Sequence, residues 1–143
     1  CSLVGSEMCI RDRDYLAHYA ARPDQYPFLN ITQHQDQLVG GLDSPARAAS
    51  TCRVLGQLGT AAAQLQLLET ASNMQAPVAL RRIAAEAFAT AVEKSGVMLS
   101  RQQILDQYDR YNASRDEPVE SQKILGSLLD VLESRTSDQQ FPR

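Results

Sequence analysis

Five residues of this chain have the types and spacing that could recognise a partner: Arg81, Tyr108, Arg110, Tyr111 and Asn112. Tyrosine and arginine combine a large contact area with directional donors, and protein interfaces concentrate binding energy on them. The run Tyr108-Asp109-Arg110-Tyr111-Asn112 is the one stretch that gathers both types with polar neighbours. A structural reading competes with the functional one. It sets Tyr108 and Tyr111 half-buried against a following helix with their hydroxyls in water, and lets Asn112 end the helix. Asp106 and Arg110 stand at i, i+4, so an exposed pair worth about 0.3–0.5 kcal/mol accounts for both. Arg81, beside Arg82, could touch phosphate; the alternative is an arginine that ties neighbouring helices through carboxylates or helix C-terminal carbonyls.

Bond-making chemistry has less to work with. His18 and His34 are the only histidines, and neither stands in an H-x-x-x-H or H-E-x-x-H arrangement that would offer two metal ligands from one helix face. No G-x-S-x-G, Walker-type or G-x-G-x-x-G loop occurs, and Gly56-Gln57-Leu58-Gly59 reads as a helix end. Asp106, Asp109, Asp116, Glu117 and Glu120 lie close in sequence, but they flank a polar break and read as solvated, whereas acid–base work needs carboxylates in a desolvated cleft. Cys52 falls at helical spacing among Ala48, Ala49 and Leu55, which marks it as a small buried hydrophobe. The expectation is therefore no catalytic residue, no metal and no cofactor. The net charge of −3 argues against a globally basic nucleic-acid footprint.

The elements that would position these residues begin after an odd opening. Residues 1–13, with Leu3-Val4-Gly5-Ser6-Glu7 and Met8-Cys9-Ile10-Arg11-Asp12, resemble a sequencing adaptor translated in frame, so the natural chain is expected to continue upstream of Asp14. Setting this stretch aside removes Cys1 and Cys9 and leaves one cysteine, from which no disulfide framework can be built. The remainder, 43% hydrophobic over the whole chain, suffices for one modest domain with a continuous core. No apolar run approaches the roughly 18–20 residues that cross a bilayer, and a cytoplasmic location is expected.

Apolar periodicity is helical almost throughout and no stretch alternates as a strand would, so the fold class is all-α. Asp14–Ala21 reads as a short helix stopped by Arg22-Pro23, and the segment to Asp43 as an irregular linker with one turn around Gln35–Val39. From Ser44, a capping serine and Pro45 open a helix with Ala48, Cys52, Leu55 and Leu58 on one face, which Gly59 ends. Thr60 caps the next, in which Leu65, Leu67 and Leu68 point inward until Asn73. A link this short folds the two helices back as an antiparallel pair. Pro77 opens a third helix, 32 residues after Pro45, with Leu80, Ala84, Ala87, Phe88 and Ala91 facing the core as far as Gly96. Ser100 and Gln103 form a capping box for a helix carrying Ile104, Leu105, Tyr108 and Tyr111 on one side. Pro118 opens the last, with Ile124, Leu125, Leu128, Leu129 and Leu132, and residues 136–143 read as a frayed polar tail.

The stretch Val54-Leu55-Gly56-Gln57-Leu58-Gly59-Thr60 and, later, Leu80-Arg81-Arg82-Ile83-Ala84-Ala85-Glu86-Ala87-Phe88 resembles successive halves of HEAT repeats. Ile104 to Asn112 and Leu125-Gly126-Ser127-Leu128-Leu129-Asp130 are similar to the C-terminal end of a group of bacterial HEAT-repeat-domain proteins. The resemblance covers about residues 44–133. It implies a short α-solenoid of antiparallel helix pairs, an armadillo-type superhelix over residues 44–135, with one surface for a partner and no catalytic residues. The function expected is a non-enzymatic scaffold or protein-interaction module, its partner another protein or an upstream part of the same chain. Two alternatives stand beside it: nucleic-acid contact through a strip of Arg81, Arg82, Arg101, Arg110 and Arg115, and a helical appendage of an enzyme whose active site lies upstream.

Overall fold

Capping side chains, prolines and positive-φ glycines, which act within a single turn, set several of the helix ends in this chain. The structure, a computed structural model, describes residues 10–22, 25 and 35–140, with side chains at 15–22, 25 and 35–135. Among the described residues the chain is all-helical, with no strand. In order come α1 (Ile10–Ala20), α2 (Gln35–Val39) running into a 3₁₀ turn at Gly40–Asp43, α3 (Pro45–Leu58), α4 (Ala61–Ser72), α5 (Val78–Ser95), α6 (Arg101–Ala113) with a 3₁₀ turn at Ser114–Asp116, and α7 (Val119–Gln140).

Pro45 occupies the first turn of α3, and Ser44 stands at its N-cap without donating or accepting a side-chain cap bond. At the other end Gly59 adopts φ 65°, a left-handed conformation that closes a helix cheaply when no Cβ is present. Thr60 then caps α4, its Oγ1 accepting the Ala63 N–H at 3.1 Å. Gly96, at φ 74°, ends α5. Both halves of the capping box on α6 are formed: Ser100 Oγ accepts from the Gln103 N–H at 3.2 Å, and Gln103 Oε1 accepts from the Ser100 N–H at 2.8 Å.

Three helix ends fall elsewhere than their local signals suggest. Helix α1 begins at Ile10, before Asp14, while residues 1–9 of the adaptor-like stretch lie outside the described residues. Helix α6 passes Asn112 to Ala113 and is closed by Ser114. Helix α7 continues to Gln140, through the stretch read as a polar tail, because neither glycine nor proline interrupts Ser127–Gln140.

Packing centres on α5. Helix α3 lies against both α1 and α5; α5 packs on α3, α4 and α7; and α6 rests chiefly on α7. The core joins Cys52 and Leu55 of α3, Leu67 and Leu68 of α4, Ala84 and Phe88 of α5, and Leu125, Leu128 and Leu132 of α7. Phe88, fully buried, contributes about 1.5–3 kcal/mol by leaving water. Close approach of α3 and α5 depends on small residues: a Cβ on Gly56 would stand 2.8 Å from the Ala87 carbonyl oxygen.

Two stripes face differently from their apolar spacing. On α4, Leu67 and Leu68 are buried as expected, but Leu65 is half-buried, and Gln64 takes an interior position. On α6, Leu105 (45% exposed) turns outward, Tyr111 (40%) is only partly covered, and Gln107 is buried. Periodicity defines parallel stripes along a helix without choosing between them; the neighbours make that choice, and α6 has its main one on the α7 side alone.

Candidate functional site

The five recognition candidates divide into an interior position and an outer surface. Arg81, on α5, is 1% exposed. Its Nε donates to the Ala71 carbonyl at 2.9 Å and its Nη1 to Ser121 Oγ at 2.7 Å, so one guanidinium joins the last turn of α4 to α7. The carbonyls at a helix C-terminus carry partial negative charge, which favours a cation there. Burial pushes the guanidinium pKa down from its ordinary value, and the negative charge of Glu117 opposes that shift. Gln107, completely buried on α6, approaches the same turn, its Oε1 accepting from Ser72 Oγ at 3.0 Å. Arg81 Nη2 and Gln107 Nε2 are buried and have no hydrogen-bond partner.

The other four candidates stay on α6. Arg110 does not pair with Asp106; its Nη2 donates to both Glu69 carboxylate oxygens, at 2.9 and 3.1 Å, across to α4. Asp106 instead accepts from Gln102 Nε2 at 2.8 Å. The Glu69–Arg110 pair sits at a groove of about 580 Å³ whose lining includes Gln66, Thr70, Asn73 and Met74. Tyr108 does not send its hydroxyl to water: it donates to Glu133 Oε1 at 2.8 Å, bridging α6 and α7. That bond, then burial, pushes the phenol pKa up. Tyr111 lies at the same α6–α7 seam, where a Cβ on Gly126 would come within 3.5 Å of its ring. Asn112 is exposed.

The strip of arginines is not one surface. Arg81 is interior, Arg110 is held by Glu69, and Arg82 forms an exposed ion pair with Glu120. Arg101 and Arg115 are exposed at opposite ends of α6. A second groove, about 390 Å³, is lined by His18, Arg22, Arg53 and Gln57 together with Glu86, a mixed-charge surface. There Arg22 Nη1 donates to the His18 ring at 2.6 Å. His34 lies outside the described residues.

Sequence reasoning missed Glu69, Gln64 and Gln107. Glu69 gives no local signal, because its partner is 41 residues away. Gln107 had one: it occupies the i+3 slot between Ile104 and Tyr111, where an apolar residue would be expected, and a polar side chain in such a slot marks a buried hydrogen-bonded site. Cys52 is buried and free, and burial pushes its thiol up to about 11, which leaves it protonated and weakly nucleophilic near neutral pH. Among the described residues no three His, Cys, Asp or Glu side chains are grouped to hold a metal ion. The first groove, lined by the Gly40–Asp43 turn, α4, the loop after it, Leu80 and Arg110, mixes neutral polar groups with the apolar Leu42, Met74 and Leu80, beside the Glu69–Arg110 pair and the carboxylate of Asp43. No family model, curated protein or solved structure matches this chain.

Proposed function

We propose that the chain is a short helical-repeat scaffold of the HEAT type that binds another protein, or another segment of its own polypeptide, through the groove lined by the Gly40–Asp43 turn, α4 and the loop that follows it, with Arg110 of α6 in its lining. The observation that carries this reading is the order of packing: α1 meets α3, α3 meets α5 and α5 meets α7, while α4 lies on α3 and α5, and α6 lies on α7. A row in which α3, α5 and α7 each rest on the next supports reading the fold as a short α-solenoid. The shared apolar seam consumes most of the distinctive residues and leaves Glu69, Arg110, Asn73 and Met74 facing the groove.

Protein is favoured over nucleic acid as partner because three of the five strip arginines are committed within the fold, through Ala71 and Ser121, Glu120, and Glu69. No helix in the described residues is long and apolar enough to cross a membrane. The test is an affinity capture comparing the chain with its Glu69→Ala and Asn73→Ala forms. A specific partner lost in both variants supports the groove. Capture of nothing above background, or equal capture by all three, removes the reading.

A further inference from the structure

We infer that the interior between α4, α5, α6 and α7 holds one small hydrogen-bond acceptor, a water molecule or a halide ion, gripped by Arg81 Nη2 and Gln107 Nε2. Both side chains are essentially sealed from solvent, at 1% and 0% exposed. Both are anchored to consecutive residues of the last turn of α4, Arg81 through the Ala71 carbonyl and Gln107 through Ser72 Oγ. Their remaining nitrogens have no protein partner. Every group left over is therefore a donor, and one carries a positive charge that forms none of the described ion pairs, Glu117 acting on it only through space. An orphaned buried donor costs about 1–3 kcal/mol, and more when charged, so the fold gains by enclosing an acceptor there. Halide and water share the chemistry of accepting these bonds. They differ in charge, and a halide also offsets the guanidinium.

The test uses the full chain and two readouts. Thermal midpoints are taken in sodium chloride and in sodium gluconate at equal ionic strength, for wild type and for Gln107→Met, a swap of similar volume that deletes Nε2. In parallel, nuclear Overhauser transfer from water to the Gln107 side-chain amide is measured. A chloride-specific rise of a few degrees in wild type, much reduced in Gln107→Met, identifies a halide. No halide dependence, with strong transfer to the Gln107 amide, identifies a water molecule. Absence of both overturns the proposal. If Gln107→Met fails to fold, the wild-type halide series and the water transfer still decide it.

Discussion

Gln64 holds Met98 from 34 residues away, its Oε1 accepting the Met98 main-chain N–H at 3.0 Å. Its Nε2 donates to the Gly96 carbonyl at 2.8 Å and, more weakly, to that of Gly59 at 3.4 Å. One buried amide thus fixes the α3–α4 turn to the linker that delivers α6. Gln64→Leu should lower stability by about 1–3 kcal/mol, because the linker groups lose their partner inside the protein. Urea unfolding measures it, and an unchanged midpoint would contradict the role.

The α3–α5 contact predicts opposite outcomes at two glycines. Gly56→Ala drives a Cβ against the Ala87 backbone at 2.8 Å, so the helices must separate, at a cost of about 1–3 kcal/mol. A Cβ on Gly40 meets nothing within 4 Å, and Gly40→Ala should be neutral or stabilising by up to about 1 kcal/mol. Equal thermal midpoints for the two variants would refute the close approach.

Burial of Cys52 sets both its reactivity and an alkaline stability limb. With the thiol raised to about 11, native protein should react with a disulfide reagent at pH 8 far more slowly than unfolded protein does. The folded state holds the proton more tightly than the unfolded one. Its stability contribution is therefore full below pH 9, the ordinary thiol value, and is lost as pH rises toward about 11. Cys52→Ala should flatten that limb; prompt labelling of native protein would show the thiol to be accessible.

The Arg82–Glu120 pair predicts a salt-sensitive titration. Hydrogen bonding and charge from Arg82, with help from Lys123, hold the Glu120 carboxyl below its usual value. A depressed carboxylate stabilises the fold above its ordinary pKa, and that contribution fades as pH falls through the lowered one. Because both side chains are about half exposed, salt should screen the effect. Carbon-detected titration should place Glu120 higher in Arg82→Gln and in high salt, and an identical curve in all three would dismiss the pair.

Much of the helical layout is legible in the residue string, and particular residues show where that legibility stops. Gly59 and Thr60 announce a tight turn between α3 and α4, and Ala84, Ala87, Phe88 and Ala91 announce the inner face of α5, all seen in place. The candidate site was only partly readable. Arg81, a recognition candidate by residue type, lies inside the fold and supports the C-terminal turn of α4, and the i, i+4 spacing that pairs Arg110 with Asp106 on its own helix gives way to Glu69 on another.

The sequence by itself determined where many of the helices start or stop, because caps, prolines and left-handed glycines act on hydrogen bonds within one turn, as at Ser100 and Gln103. Only the tertiary structure decided which stripe of α6 turned inward, burying Gln107 and exposing Leu105, and which distant groups met: Arg81 with Ser121, Gln64 with Met98, Tyr108 with Glu133. A local rule is satisfied by neighbours along the chain. A helix face is chosen by whatever packs beside it, and that depends on the placement of every other helix at once.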